Sequence, residues 1–518
     1  MTDNPYLPPI QHVLPRLLSL FDADRTSASY GFGDRYYWAW GLIDFGNGTF
    51  QGAAHGMARL WSAGLWPYAT DTEVFLARID AMFRATRELT RKDGSLEEAF
   101  PNEGSFCVTA LVAFDLICAL DLLRTEISEP RKTAWQAIVE PLMAYLLDAD
   151  ETHALISNHL ATATAALVRW HRLTGDPASE VRAKTLLNRI LEHQSSEGWY
   201  EEYGGADPGY QSLCTYYLAD VHQHRPDWNL GGSLTRSLAF LRYFIHPDGS
   251  FGGLYGSRNT RFYYPAGFEA LAEEISEAGL IAGFMADAIA SQKVVTLTCM
   301  DEPNLIPTFN AYCWAAAIKA TSVPRKPNSK LPALSSHTER THFPAAGLIV
   351  DAGPNHYTII STHKGGVVLH FVDGDNNLSD AGIVVRDPKG RLGSSQSFNT
   401  QNAVQLDGES VTVLSTITEM PRKLPSPIEF IALRLLSVSL FRLRTPREWI
   451  KRMLVRLLIT RKEEWPVQNT REVVFGPDLQ IMDETAAAPG YDILESPGDF
   501  VAIHMASQGY WQIQDERN

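Results

Sequence analysis

The chain has 518 residues, more than one hydrophobic core ordinarily serves, and its 45% hydrophobic and 10% aromatic content excludes a largely disordered chain and predicts two domains. A net charge of −15 supplies no basic field to gather phosphate backbones, so nucleic acid is excluded as an expected partner. Five cysteines without a CxxC pair, all in apolar stretches, are expected to be reduced and structural.

The opening residues, Met1 to Pro9, lack the basic and apolar regions of a secretory leader, and no apolar run reaches the roughly 18 residues of a membrane span. The expected location is cytoplasmic, at most peripheral at the inner membrane surface. From there acidic and glycine turn signals recur at Asp44, Asp93, Asp148, Glu197, Asp248 and Asp301, spaced by 49, 55, 49, 51 and 53 residues. Each precedes a helical stretch apolar over much of its circumference, such as GSFCVTALVAFDLICALDLL, while amphipathic stretches such as EVFLARIDAMFRATREL lie between. All-round apolar helices are buried on every side and amphipathic ones form a wetted layer, so the period predicts stacked helical hairpins. Six hairpins can close into an (α/α)6 toroid, expected over residues 1–321, with every turn-to-inner-helix junction on one rim. The rival is an open helical solenoid.

A Pro/Ser-rich linker is expected over 322–342, and short β-like runs separated by turn signals then predict an antiparallel β-sandwich over 343–518. At about 427–465 leucines recur at helical spacing among Arg434, Arg442, Arg444, Arg447, Lys451, Arg452, Arg456, Arg461 and Lys462. Such a basic helical insertion in an acidic protein suits peripheral contact with an anionic membrane or an acidic partner. The plainer alternative is a packed insertion whose arginines are solvated or paired with acidic rim residues.

The rim loops hold Gln51, His55, Asn102, Glu103, Asn158, His159, Trp199, Glu202, Tyr203, Asp207, Tyr210, Tyr216, Tyr217, Tyr255, Arg258, Asn259 and Tyr263. Flat aromatic faces with amide and carboxylate groups suit sugar hydroxyls, although any single tyrosine can equally be core. Removing the proton beside a uronate carboxylate requires that charge to be neutralised by Asn, His or Arg and the proton moved by Tyr or His. Hydrolysis instead requires two carboxylates across the bond, for which Glu97 to Glu103 and Glu197 to Asp207 offer candidates. Isoprenoid cyclisation is disfavoured because neither DxDD nor DDxxD occurs.

Asn158-His159, the DPGYQSLCTYY segment and FPAAGLIVDAG at the start of the β part resemble the heparinase II/III-like polysaccharide lyases. That resemblance implies an (α/α) toroid with a β-sandwich and β-elimination on acidic polysaccharides. It further implies Asn158 and His159 as neutralisers of the uronate carboxylate, Tyr216 or Tyr217 as catalytic tyrosine, and His363 as the sandwich-side histidine. Where the family carries a His beside an Asp and Ser, this sequence reads THKGGVVLHF. The loops EGWYEEYGG and DGSFGGLYGSRNTRFYYPAGFE resemble those of terpenoid-cyclase and prenyltransferase toroids, which supports the toroid alone.

The expected activity is elimination or C5 epimerisation on a uronate-containing polysaccharide or oligosaccharide, in the biosynthesis or modification of a surface polysaccharide. The alternatives are a glycoside hydrolase with paired rim carboxylates and a non-catalytic glycan-binding or assembly protein. No cofactor is expected, nor a catalytic metal, since His342, His356, His363 and His370 lack metal-ligand spacing.

Overall fold

The computed structural model describes residues 4–151, 154–322, 331–422, 424, 426–455, 463–494 and 498–512. Residues 323–330 of the expected linker, and Arg456, Arg461 and Lys462 of the basic stretch, lie outside the described residues, as do the side chains of Arg444, Lys451 and Arg452. The helices alternate between two layers in chain order: outer α1 (Leu7–Ser19), a single turn α2 (Arg35–Trp38), inner α3 (Ala53–Ser62), outer α4 (Thr72–Leu89) and inner α5 (Phe106–Leu122). They continue as outer α6 (Glu129–Asp148), inner α7 (Ser157–Thr174), outer α8 (Pro177–Glu192) and inner α9 (Pro208–His224). Outer α10 (Gly231–Leu241), inner α11 (Ala266–Leu271), outer α12 (Ser276–Ala290) and inner α13 (Glu302–Thr321) complete the set.

The inner helices close a ring, α3 on α5, α5 on α7, α7 on α9, α9 on α11, α11 on α13, and α13 back on α3. The open solenoid is thereby excluded. Helix α5 is buried almost all round, as an element with two ring neighbours and an outer layer must be, whereas α4 buries the stripe Phe75, Leu76, Ile79, Met82 and Phe83. The turn chemistry sets the junctions. Asp207 and Asp301 cap α9 and α13 through the backbone N–H of Tyr210 and Asn304, and Asp93 and Asp248 accept from Ser95 and Ser250 two residues on. Gly198 holds φ +104°, and a Cβ there would lie 2.2 Å from the Arg236 carbonyl oxygen, so this turn admits only glycine.

At the end of the ring away from the rim, Arg169 of α7 is buried against Asp220 of α9, with Nε donating at 3.0 and 3.1 Å and Nη2 at 2.5 Å. The α7–α9 contact is tied there by a buried charged pair, with Arg169 Nη1 also 3.4 Å from the half-exposed Asp121.

The β domain holds two antiparallel sheets. The first is a meander of β1 (Glu339–Phe343), β2 (Leu348–Ala352), β3 (His356–Ser361), β4 (Val367–Val372) and β5 (Asp375–Asp380). Its first strand starts inside the stretch read as linker. The second comprises β6 (Val384–Arg386), β7 (Leu392–Ser394), β8 (Ala403–Leu406), β9 (Ser410–Glu419), β10 (Glu464–Val474), β11 (Gln480–Ala487) and β12 (Asp492–Leu494). Its order is β11-β10-β9-β7-β6-β12, with β8 also on β9.

Ile349, Ile360 and Val368 of the first sheet meet Val411, Val413 and Val473 of the second. The other face of the first sheet, through Leu348, Val350, Tyr357, Ile359 and Phe371, meets Trp199, Phe240, Phe244 and Tyr255 of the toroid. A sheet covered on both faces buries successive residues, which is why every position of LIVDA and HYTIIS is buried while burial alternates along β10.

Between β9 and β10 run α14 (Pro427–Val438) and α15 (Arg444–Val455), which cross the rim of the first two repeats. The Asn102 Nδ2 donates to the Ser437 carbonyl at 3.0 Å, Phe100 meets Phe441 at 5.3 Å, and Arg434 and Arg447 pair with Asp44 and Asp93 at 3.0 and 3.2 Å. Among the described residues no helix is long and apolar enough to cross a membrane.

Candidate functional site

The rim mouth lies between two covers from the β domain, the first sheet at the 199–255 loops and the insertion at the 44–104 loops. At the start of α7 the Asn158 backbone N–H and Nδ2 donate to the two carboxyl oxygens of Glu202 at 2.9 and 3.0 Å. Glu202 is fully buried, and this burial outweighs both hydrogen bonds and pushes its carboxyl up to about 8. At pH 7 Glu202 is therefore mostly protonated.

One residue further along, His159 is half-buried and its Nδ1 lies 2.7 Å from the Glu151 carboxylate. With Nδ1–H held by a carboxylate, Nε2 carries the free lone pair. Tyr203 stands in the αL region at φ +55°, and the Arg258 guanidinium lies over its ring, 4.1 Å from the centroid. Burial raises the Tyr203 phenol, which also feels Arg258, Glu151, Tyr210 and Glu202, so these groups share one neighbourhood. Tyr210, in the first turn of α9, is pushed up to about 12 by burial and bonds Ser507 from the C-terminal segment. Both phenols are proton donors at neutral pH. The Cys107 thiol is raised by burial and by Glu98, Glu151, Glu103 and Glu202, so the mouth is rich in carboxyl groups.

Asp207 and Asn259 support this cluster from beneath. Asp207 Oδ1 accepts from the Tyr210 N–H at 3.0 Å and Oδ2 from the Arg258 N–H at 2.9 Å, which positions both residues. Asn259 Oδ1 accepts from the buried ammonium of Lys364, which also donates to the carbonyls of Leu254 and Gly256, so the β domain reaches into the rim through one lysine.

Other predicted residues lie elsewhere, and packing gives the reason. Gln51 is spent on the backbone of Gly31, Gly33 and Met82. His55 is buried at 2.9 Å from Asp115 inside the ring. Tyr216 and Tyr217 are fully buried two turns below the rim, packed edge-on against Phe114, and Tyr263 is buried against Phe251 and Phe268. The predicted catalytic place of Tyr216 or Tyr217 is thus core, and Tyr210 is the tyrosine of that segment that reaches the mouth.

Loop hydrogen bonds and the domain interface account for four more. Tyr255 bonds His246 at 2.8 Å, Trp199 Nε1 donates to Glu197 at 2.9 Å, Asn102 is held by Arg91 and Ser437, and Glu103 accepts from the backbone of Glu98 and Ala99. His363 sits over Gly347 with its ring 5.6 Å from that of Phe398. Phe398 in turn covers Gly205, so it stands between His363 and the rim turn. Among the described residues no group of three or more His, Cys, Asp or Glu side chains is arranged to hold a metal ion. Sequence reasoning passed over Glu151, Lys364 and Ser507. Lys364 adjoins the His363 it did single out, whereas Glu151 and Ser507 carry no local signal and join the site only through the fold.

No known family profile matches the chain, and no characterised protein matches it by sequence. By structure it is similar to heparinase III, with a TM-score of 0.52 over 94% of this chain and 71% of that one at 11% identity. It is also similar to the Streptomyces coelicolor A3 chondroitin AC lyase in complex with chondroitin sulphate, with a TM-score of 0.52 over 93% of this chain and 66% of that one at 10% identity. Both likenesses run through toroid and β domain together, so the chain has the fold of the α/α-toroid polysaccharide lyases. At these identities the likeness is one of fold alone.

Proposed function

We propose that the chain is a carbohydrate-active enzyme that removes the C5 proton of a uronate residue in an acidic polysaccharide or oligosaccharide, by β-elimination or C5 epimerisation. The observation that carries this reading is the His159–Glu151 pair at the same mouth as Arg258, Tyr203 and Tyr210. His159 Nε2 takes the C5 proton, and the imidazolium formed is stabilised by Glu151. Arg258 and the Asn158 amide meet the uronate carboxylate, which lowers the cost of the carbanion. Tyr210 gives its phenolic proton to the leaving oxygen as the C4–O bond breaks and the C4–C5 double bond forms. In epimerisation the C4–O bond stays intact and a proton returns to the opposite face of C5.

A protonated Glu202 supports the same reading, because it takes one negative charge out of a mouth that must accept another. It also favours a second reading, a hydrolase with Glu202 as acid, although both Glu202 oxygens face Asn158. The two are separated by incubating the protein with a panel of acidic polysaccharides and following absorbance near 232 nm, where the unsaturated uronate absorbs, beside new reducing ends. Elimination gives both signals, and His159→Ala abolishes both. New reducing ends without absorbance would transfer the reading to hydrolysis. Neither signal, together with no exchange of C5 hydrogen with solvent, would leave a binding protein of polysaccharide assembly.

A further inference from the structure

We propose that the insertion α14–α15, with the Trp40–Leu42 loop beside it, is a docking surface for an anionic phospholipid bilayer. The rim-facing side of the insertion is occupied by Arg434, Ser437, Phe441 and Arg447. Among the described residues nothing covers the other side of α14. Ile428, Ile431, Leu435 and Val438 recur at helical spacing along α14 and are all exposed, Ile428 by 78%. On α15, Trp449 and Met453 are exposed at i, i+4 spacing.

The Arg434 pair with Asp44, and its guanidinium over the Phe45 ring, bring the preceding loop beside α14. There Trp40 and Leu42 are 88% and 93% exposed. Both hold positive φ, at 64° and 58°, which bulky side chains rarely adopt, and the Gly41 N–H between them bonds the Tyr36 carbonyl at 2.9 Å. A strained backbone thus holds a tryptophan and a leucine out in water instead of folding them onto the toroid.

Charge selects the occupant. Residues 427–462 carry nine basic and two acidic side chains, net +7, in a chain of net −15. Setting aside Arg434 and Arg447, which pair toward the rim, the segment still carries seven basic against two acidic side chains, net +5, so a second copy docking through the same segment would set like charge against like. An anionic bilayer attracts this face and repels the rest of the molecule, which orients the mouth at the membrane surface. Tryptophan and basic side chains flanking an apolar stripe suit the headgroup boundary, with the helices lying in the surface plane.

The test is sedimentation of the full chain with vesicles of phosphatidylcholine alone and with about 30% phosphatidylglycerol, in low salt and in about 0.5 M NaCl. The expected result is partition to the anionic vesicles roughly tenfold or more above the neutral ones, lost in high salt. Arg442→Glu is expected to lower it roughly tenfold, and Trp40→Ser/Leu42→Ser and Ile431→Ser/Leu435→Ser each by a similar factor, with unchanged melting because every one of these side chains is exposed. Equal binding to both vesicles, or binding to neither, overturns the proposal. So does a concentration-dependent dimer in light scattering that Trp40→Ser/Leu42→Ser dissolves, which would give the face to a second copy.

Discussion

Replacing Glu202 by glutamine tests the charge state on which the electrostatics of the mouth depends. Burial raises this carboxyl from 4.5 to about 8 despite two hydrogen bonds from Asn158. Below pH 4.5 the group is neutral in both folded and unfolded chains and contributes nothing to their difference. Between 4.5 and about 8 the unfolded chain releases the proton while the folded chain keeps it, so stability falls as pH rises. At about 1.36 kcal/mol per pH unit the loss reaches roughly 5 kcal/mol by pH 8, and the curve flattens above it. The substituted amide cannot ionise, and it can donate to Asn158 Oδ1 after that side chain flips while still accepting from the Asn158 N–H. Every other titrating group is common to both proteins, so the difference in unfolding free energy isolates this one carboxyl. Urea unfolding of the native and Glu202→Gln proteins, followed by tryptophan fluorescence between pH 5 and 9, is expected to show the variant gaining on the native protein up to about pH 8. A difference that stays flat within about 1 kcal/mol across that range would mean that Glu202 is ionised in the folded chain, and the reasoning about the mouth would fail.

Two further outcomes separate site from scaffold. Tyr216→Phe removes a buried hydroxyl that has no hydrogen-bond partner among the described residues, so a change in stability under about 1 kcal/mol and unchanged elimination are expected. Tyr210→Phe is expected to lower turnover at 232 nm by roughly 100-fold or more with the melting temperature nearly unchanged; equal activity of the two variants would remove Tyr210 from the chemistry. Asp220→Ala leaves the buried Arg169 guanidinium with only the longer, half-exposed contact to Asp121, and a loss of about 3 kcal/mol in urea unfolding is expected; a loss below about 1 kcal/mol would show that Asp121 and solvent suffice for the charge.

The ring of six hairpins is legible in the residues themselves, because what specifies it is local. Apolar periodicity separates inner from outer helices, and an acid-glycine turn near every fifty residues ends one hairpin and starts the next. The two-sheet β part is legible for the same reason, whereas the burial of every residue of β2 and β3, including Asp351, Thr358 and Ser361, follows from the toroid covering the second face of their sheet. Which rim residues face the mouth is not local. Depth along a helix decides it: Tyr210, in the first turn of α9, is partly exposed at the mouth, while Tyr216 and Tyr217, about two turns further in, are enclosed by the other inner helices. Gln51 and His55 likewise go to backbone groups and to Asp115, partners supplied by the packing of neighbouring segments. The reach of Lys364 into the rim and the seating of the insertion on Asp44 and Asp93 join segments of different domains, more than a hundred residues apart in the chain. Only the tertiary structure decides them, because a charge finds its partner through space and the sequence records distance along the chain.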